Sequence, residues 1–165
     1  MSTLYSSRLL LKVLTEEMVS KTYVSWLNDP SINQYLESRF LTSTLKSVKT
    51  FVKNQLICSD TEFFGIFLRD EDKHIGNIKL DEITSCHKRG KIGILIGEKS
   101  TWGNGYATEA IKIITDYGFS EHGLRKVCAE CYESNLGSKR AFENAGYLVE
   151  GFLRNHNHVS TELGR

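Results

Sequence analysis

Apolar residues recur along the chain with two different periods, and these periods distinguish helices from strands. In the stretch 44–58, Leu45, Val48 and Val52 lie three or four positions apart, and this spacing predicts an amphipathic helix. Residues 106–118 show the same period and predict another helix. Shorter apolar runs bounded by polar turns predict strands instead. The predicted strands lie at residues 8–13, 63–68, 74–80, 91–96, 126–132 and 147–153.

Capping and turn residues predict three further helical segments. Thr15 is a suitable N-cap for a helix that runs to about residue 26, because acidic residues follow in its first turn. Pro30 permits a restart after a turn, and Gly146 ends a short helix over residues 138–145. The order of elements is β-α-α-α-β-β-β-α-β-α-β. It predicts an α+β fold in which a mixed, twisted β-sheet is flanked by helices.

Composition narrows the class of protein. The length fits a single domain, residues 1–165. Basic residues number 21 and acidic residues 20, so the net charge of +1 gives no electrostatic reason to expect binding to nucleic acid or to a membrane surface. The N-terminus has the pattern of a strand rather than a secretory signal, and no apolar run approaches the ~18 residues of a membrane span. The cysteine content suits a reduced compartment, so we expect a cytoplasmic protein.

Two cysteines, Cys128 and Cys131, form a C-x-x-C sequence, which marks redox or zinc chemistry in some proteins. Here both lie in the predicted strand 126–132, where residues three apart point to opposite faces. The only neighbouring pair of candidate ligands, Cys86 and His87, is adjacent rather than spaced as zinc requires. We therefore expect small buried cysteine side chains and no metal.

A loop with two glycines, Gly103 and Gly105, joins the predicted strand 91–96 to the helix 106–118. The first N–H groups of a helix lack partners and carry partial positive charge, and glycine lets an anion approach the backbone closely. The loop is therefore a candidate phosphate site. Its sequence matches neither the Walker loop nor the dinucleotide fingerprint, and an ordinary tight turn remains the alternative.

Three segments carry a resemblance to a known family. Residues 102–110, Trp-Gly-Asn-Gly-Tyr-Ala-Thr-Glu-Ala, are similar to the acyl-CoA loop Gln/Arg-x-x-Gly-x-Gly/Ala, with Gly105 and Ala107 at its last two fixed positions. Residues 135–147 are similar to a segment that begins Asn-x-x-Ala/Ser and ends Gly-Phe/Tyr. Residues 26–30, Trp-Leu-Asn-Asp-Pro, are similar to a first helix and turn. Together they resemble the GNAT superfamily of N-acetyltransferases, in particular its ribosomal-protein N-terminal acetyltransferase branch.

The resemblance implies acetyl-CoA as the cosubstrate and assigns its contacts. Backbone groups of Ile94 and Ile96 pair with the pantetheine arm as an added strand would, and the N–H of Leu95 or Ile96 stabilises the oxyanion. Asn135 binds the pantetheine and Ser138 lies near the thioester sulfur. Lys139 reaches a CoA phosphate, unless it is a solvated lysine. The loop residues expected at the cofactor are Trp102, Gly103, Asn104, Gly105, Tyr106 and Ala107.

The implied reaction is attack of a neutral amine on the thioester, which needs a base for the amine proton and an acid for the leaving thiolate. The usual acid of the superfamily, a tyrosine seven positions after the motif asparagine, is replaced here by Phe142. We assign Ser138 as the acid, with helix capping or cofactor contact as its alternative role. A glutamate near the start of the preceding strand is replaced by Lys91, which leaves Glu130 as the candidate base and Tyr132 as a weaker candidate.

The acceptor is the least determined part of the sequence. Trp26, Asn28 and Asp29 lie in the segment that walls the acceptor pocket in similar proteins, although Trp26 also suits a core position. Three acceptors remain open: an amino sugar, a protein N-terminus, and a small amine or antibiotic. Similar chains in sugar pathways favour a small metabolite or amino sugar. A CoA-binding module without turnover is a further alternative. The oligomeric state stays open, and a homodimer that completes the edge near residues 156–165 is one alternative.

Overall fold

A computed structural model describes residues 3–154 and 156–157, and its strands form one open sheet in the order β1 to β6. The strands are β1 (Thr3–Tyr5), β2 (Leu9–Val13), β3 (Glu62–Leu68), β4 (Lys73–Thr84), β5 (Arg89–Ile96) and β6 (Lys126–Ala129). Neighbours from β1 to β5 pair antiparallel, whereas β5 and β6 pair parallel. The expected α+β fold with a mixed sheet is confirmed.

Helices cover both faces of this sheet. They are α1 (Lys21–Asn28), α2 (Pro30–Asn33), α3 (Leu45–Ile57), α4 (Tyr106–Ser120) and α5 (Leu136–Asn144). The start of α3 is fixed by a capping box, in which the hydroxyl of Thr44 accepts from the N–H of Ser47 and the Ser47 hydroxyl accepts from the N–H of Thr44. The long helix α4 is the crossover that lets β5 and β6 run parallel.

Two separate cores lie on opposite faces of the sheet. The core beneath α4 includes Ile92, Ile111 and Phe64, and the core beneath α1 and α3 includes Val52 and Phe63. The neighbours Phe63 and Phe64 enter different cores because successive strand residues point to opposite faces. Burial of each such side chain contributes about 1.5–3 kcal/mol, so both faces of the central strands are held in place.

The helix predicted from Thr15 to about residue 26 is wrong in its first half. Residues Glu16–Met18 form a single 3-10 turn, and α1 begins only at Lys21. The reason is a second cap, because the hydroxyl of Ser20 accepts from the N–H of Tyr23 at 3.1 Å. The sequence contains this serine, and it was the signal for the later start.

The strand predicted at 147–153 is also wrong. The chain leaves α5 through Gly146, at a φ of +99°, and within the described residues it makes no strand pairing from residue 147 to 154. Tyr147 packs on Phe142, with ring centres 5.1 Å apart, but Leu148 is 86% exposed, so the apolar pattern does not continue along one packed face. An apolar run forms a strand only where a neighbouring strand can pair with it.

The predicted strand end at residue 132 and the expected burial of the cysteines are also wrong. The strand 126–132 ends at Ala129, so Cys131 is exposed; Cys58 and Cys86 are exposed as well, and Cys128 is half-buried, contrary to the expected burial. The short strand β1 was missed. Most of the segment 156–165, where a second copy was suggested, lies outside the described residues.

Candidate active site

Strand β6 pairs with only the first half of β5. The register joins Arg89–Ile92 of β5 to Lys126–Ala129 of β6, whereas β5 continues to Ile96. The last residues of β5, 93–96, therefore have a neighbouring strand on one side only among the described residues, namely β4. An extended ligand can pair with backbone groups on the open side, as an added strand would. The sequence-predicted residues Ile94, Leu95 and Ile96 all lie in this segment, but the register turns the backbone groups of Leu95 towards β4 and leaves those of Ile94 and Ile96 on the open side.

The two glycines of the loop adopt left-handed backbone conformations where the chain enters α4. Gly103 and Gly105 have φ angles of +77° and +79°, in the left-handed region that favours glycine. Gly105 is the N-cap of α4, and no side chain caps this helix in the described structure. The first N–H groups of α4, including those of Tyr106 and Ala107, are therefore available to an anion at the positive end of the helix dipole.

Trp102, the first residue of the segment that resembles an acyl-CoA loop, connects this loop to β5. Its indole N–H donates to the carbonyl oxygen of Ile96 at 2.9 Å, although the side chain is 46% exposed. This bond ties the loop to the open end of β5. The carbonyl of Ile96 keeps a second lone pair for a ligand.

The start of α5 contains the residues predicted near the thioester. The side-chain oxygen of Asn135 accepts from the N–H of Ser138 at 3.1 Å, so Asn135 is the N-cap of this helix. The capping role suggested for Ser138 is therefore performed by Asn135, and the Ser138 hydroxyl has no hydrogen bond in the part of the chain described. The ammonium of Lys139 lies 4.0 Å from Glu143, one turn further along the helix.

The candidate base Glu130 forms an ion pair where β5 and β6 separate. The ammonium of Lys91 lies 3.0 Å from Glu130 and 3.4 Å from Glu82. Burial acts to lower the pKa of Lys91, but the hydrogen bonds and charges of the two carboxylates outweigh it and raise that pKa. Lys91 thus holds a carboxylate that lies directly after the neighbouring strand β6.

A network that sequence reasoning missed surrounds Tyr132. Its hydroxyl donates to the carboxylate of Glu37 at 2.6 Å and accepts from the guanidinium of Arg39 at 3.1 Å. The Arg39 side chain is only 1% exposed, and the ring of Tyr35 packs 5.7 Å from that of Tyr132. Desolvation, followed by the carboxylate of Glu37, raises the pKa of Tyr132, so the phenol stays protonated at neutral pH. Apart from the charges themselves, no sequence pattern signals these contacts.

The predicted acceptor residues have structural roles: Trp26 is part of the core, and Asn28 connects two segments of the chain. Trp26 is 4% exposed, and its ring packs so tightly on Gly97 that a Cβ there would lie 2.0 Å from it. The amide of Asn28 bonds to both backbone groups of Ser43, at 2.8 and 2.9 Å. These contacts make Trp26 a buried support and Asn28 a tie between α1 and the loop before α3.

Asp29 joins this segment to the loop region that precedes α4. It caps α2 through the N–H of Ser31, and its carboxylate lies 2.6 Å from the ammonium of Lys99. The hydrogen bond from Lys99, followed by those from Ser31, lowers the pKa of Asp29 to about 2. A cavity of about 210 Å³ opens beside Asn28 and Arg39. Asp29 therefore stays charged while it holds the segment beside that cavity.

Two further classes of feature are not found in the described part of the chain. Residues 3–154 and 156–157 contain no group of three or more His, Cys, Asp and Glu side chains arranged to hold a metal ion. Within the same residues, no helix has both the length and the apolar character needed to cross a membrane.

Comparison with known proteins agrees with this geometry. A family profile described as an acetyltransferase (GNAT) domain matches residues 8–148. The uncharacterized N-acetyltransferase p20 of Bacillus licheniformis is 26% identical over 165 residues, which cover 99% of this chain and 92% of that protein.

Two solved structures share the fold. Spermidine N-acetyltransferase from Vibrio cholerae, in complex with CoA and spermine, has a TM-score of 0.78 at 21% identity, covering 90% of this chain and 85% of the other. The ribosomal alpha-N-protein acetyltransferase RimL, in complex with CoA, has a TM-score of 0.82 at 14% identity, covering 95% and 90%. With the family profile spanning most of its length, the chain belongs to the GNAT family of N-acetyltransferases.

Proposed function

We propose that this N-acetyltransferase moves the acetyl group of acetyl-CoA to the primary amine of a small metabolite or amino sugar, by direct attack on the thioester. The observation that carries the proposal is the open edge of β5 beside the uncapped start of α4. The edge at residues 93–96 offers backbone groups to the pantetheine arm. The loop from Gly103 to Ala107 offers N–H groups to the diphosphate. One carrier with both parts, coenzyme A, fits both features.

The chemistry requires a neutral amine nitrogen at the carbonyl carbon of the thioester. The nitrogen forms the new C–N bond, the C–S bond breaks, and the amine proton passes to Glu130, directly or through water. The leaving thiolate takes a proton from the Ser138 hydroxyl or from solvent. Of the two N–H donors expected from the sequence, Leu95 and Ile96, the N–H of Ile96 faces the open side and donates to the oxyanion. Alignment of the two reactants alone can supply about 7–11 kcal/mol of the barrier reduction.

Charge around the candidate base Glu130, which the acceptor nitrogen must approach, supports a compact acceptor with one amine. The carboxylates beside the end of β6 are matched by lysines: Asp81 contacts Lys79, while Glu82 and Glu130 share Lys91. A polyamine carries several positive charges and favours a surplus of unpaired carboxylates. The lysines here neutralise most of that surplus. A protein N-terminus is the second candidate acceptor, and the fold shared with RimL is the observation that favours it.

Calorimetry and a thiol-release assay test the proposal together. We expect the protein to release heat on titration with acetyl-CoA and with CoA, and to release free thiol when an accepted amine is added. The panel contains amino sugars, peptides with free N-termini, and polyamines; amino sugars or small monoamines should give the fastest release. Heat without thiol release from any amine would favour a CoA-binding module. Absence of heat with either carrier would remove the basis of the proposal.

The same proposal includes a cytoplasmic location and leaves the assembly open between a monomer and a homodimer. The apolar side chains of Phe152 and Leu153 are 68% and 69% exposed, so a second copy of the chain could cover them in a homodimer. Light scattering on the purified protein separates the two states by mass.

A further inference from the structure

Arg8, just before β2, reaches across to the first turn of α4. Its Nε and Nη2 both lie within hydrogen-bond distance of one oxygen of Glu109, at 2.7 and 2.6 Å. The other oxygen of Glu109 accepts from the hydroxyl of Ser6 at 2.5 Å and from the N–H of Arg8 at 3.2 Å. The carboxylate side chain is only 17% exposed. Four donors from the N-terminal segment thus converge on a single acidic group of α4.

The same guanidinium also contacts the glycine loop. Nη1 of Arg8 donates to the backbone oxygen of Asn104 at 3.1 Å, and the guanidinium carbon lies 4.5 Å above the centre of the Tyr106 ring. A Cβ added at Gly105 would lie 3.7 Å from Nη2. One side chain therefore holds the residue before Gly105 and the residue after it. The backbone that would receive the diphosphate is fixed between these two contacts.

Charge gives the arrangement a second role. An ionised carboxylate in the first turn of a helix competes with any anion that binds at the helix start. Burial acts to raise the pKa of Glu109, but the hydrogen bonds from Ser6 and Arg8 outweigh it and lower that pKa, so this group is charged at neutral pH. The guanidinium of Arg8 neutralises it in place. Without Arg8, an unpaired negative charge would stand beside the proposed diphosphate site.

We propose that Arg8 is a positioning residue for the acyl carrier: it neutralises Glu109 and fixes the loop around Gly105, so that the protein favours carriers that contain a diphosphate. This inference rests on the proposed function, because it assigns the same loop to the carrier. Arg8 acts through the loop and Glu109, and the transfer step itself does not require it.

The test compares two acetyl donors, acetyl-CoA and S-acetylpantetheine, which share the thioester but differ in the diphosphate. For Arg8→Ala we expect the Kd of CoA and the KM of acetyl-CoA to rise about tenfold, the scale of a lost charge-assisted interaction, with little change in kcat. The kcat/KM for S-acetylpantetheine should stay at the wild-type value. A role in general folding would instead lower activity with both donors.

Two further variants separate charge from loop order. In Arg8→Ala/Glu109→Gln the uncompensated carboxylate is gone, so CoA affinity should recover part of the loss. Arg8→Lys retains the charge but not the paired donors, so its CoA affinity should lie between those of wild type and Arg8→Ala. Lys12→Ala is the matched control. Lys12 lies in β2, pairs with Asp72 and sits 4.7 Å above the Phe67 ring, yet it has no contact with the loop.

Binding of inorganic pyrophosphate and of CoA by calorimetry makes the outcomes distinct. If wild type binds CoA and Arg8→Ala binds it equally well, the inference about Arg8 is wrong while the proposed function stands. Equal losses with both acetyl donors also overturn it. If wild type binds neither CoA nor pyrophosphate, the proposed function and this inference fail together. Circular dichroism and melting curves show whether Arg8→Ala folds, and Arg8→Lys replaces it in every arm if it does not.

Discussion

The two halves of the proposed site are built from different parts of the polypeptide. The half that faces the acyl carrier consists of backbone: the open edge at 93–96 and the loop from Gly103 to Gly105. The half that faces the acceptor consists of side chains that meet over long sequence distances, such as Tyr132 with Glu37, 95 residues apart. Backbone geometry follows from local sequence, whereas a side-chain network depends on the whole fold.

This difference predicts different consequences of substitution. A change in the backbone half should affect binding of the carrier whatever the acceptor, because every transfer uses the same carrier. A change in the side-chain half should affect kcat or the KM of a particular acceptor and leave the Kd of CoA unchanged. The following variants test this division, starting with the largest expected effect.

Gly105→Leu should have the largest effect. At a φ of +79° a leucine is strained, and its side chain would occupy the space through which the diphosphate approaches. We expect the affinity for CoA to fall about a hundredfold, the equivalent of about 2.7 kcal/mol, as measured by calorimetry. Gly123→Leu is the control, since Gly123 also has a positive φ, +58°, but lies in the turn after α4. Similar loss of CoA affinity in both variants would indicate general strain and contradict the assignment of the loop.

Ser138→Ala tests the proposed acid at the boundary of the two halves. Because solvent can also protonate the thiolate, loss of the Ser138 hydroxyl should lower turnover by up to roughly a hundredfold, whereas loss of a simple contact to the cofactor would raise its Kd. We expect kcat to fall by about that factor, with the Kd of acetyl-CoA unchanged. Ser120→Ala, at the far end of α4, provides the control. A wild-type kcat in Ser138→Ala would dismiss the acid role.

Glu130→Gln tests the base. The substitution keeps the shape of the side chain and an acceptor for Lys91 but removes the carboxylate that takes the amine proton. We expect kcat to fall about tenfold to a hundredfold for every accepted amine, while CoA binding stays at the wild-type level. Glu150→Gln is a control, because Glu150 is also paired with a lysine, Lys126, on β6. Equal rates in Glu130→Gln and wild type would assign the base to another group, and the protonated phenol of Tyr132 is not suited to that role.

Three parts of the chain, the glycine loop, Ser20 and residues 147–153, show which features the sequence predicts and which it does not. The glycines at 103 and 105 made this loop a candidate phosphate site because a missing side chain is visible in the sequence, and both glycines have a positive φ in the structure. Ser20 is an equally good N-cap in the sequence, but Thr15 with the acidic residues after it favoured an earlier start than the observed start of α1 at Lys21. The strand expected at 147–153 failed because strand formation requires a neighbour, which apolar alternation does not reveal.

The partners of Tyr132 were beyond sequence reasoning for a further physical reason. Arg39 is a charged residue whose side chain is 1% exposed, and composition statistics place arginine on the surface. Its burial is tolerated because Tyr132 and the backbone oxygen of Leu36 accept its N–H groups, at 3.1 and 2.8 Å. A buried arginine can be predicted only when its acceptors are known, and one of them here, Tyr132, lies 93 residues away in the sequence.

Tyr132→Phe measures what this network contributes. The variant removes the hydroxyl that links Glu37 to Arg39 and keeps the ring beside Tyr35. We expect a loss of about 1 kcal/mol in the free energy of unfolding and a KM for the acceptor raised about threefold, with the Kd of CoA unchanged. Tyr5→Phe, with the Tyr5 side chain 70% exposed on β1, is the control. A changed CoA affinity would mean that the two halves are coupled rather than separate.

The smallest effect concerns stability against pH beneath the acceptor half. The ring of His74 stacks on Phe67 at 4.7 Å and packs 5.1 Å from Trp26, and its Nε2 lies 2.9 and 3.0 Å from oxygens of Gly76 and Asn77. Burial lowers the pKa of His74, against the smaller raising effect of those hydrogen bonds. The unfolded chain, with an ordinary histidine pKa of about 6.5, therefore binds a proton more readily than the folded chain.

The direction of the pH dependence of stability follows from this difference between the two pKa values of His74. The contribution of neutral His74 to stability is fully present above about pH 6.5 and is lost as the pH falls towards the lower pKa of the folded state, by at most about 1.4 kcal/mol per pH unit. Urea unfolding between pH 8 and pH 5 should show this decline in wild type and a weaker decline in His74→Gln, which keeps an N–H donor but does not titrate. His87→Gln is the control, because His87 lies in the exposed turn between β4 and β5. If His74→Gln retained the full decline in the free energy of unfolding, other groups would be responsible for it, and protonation of His74 beneath Trp26 would not affect stability.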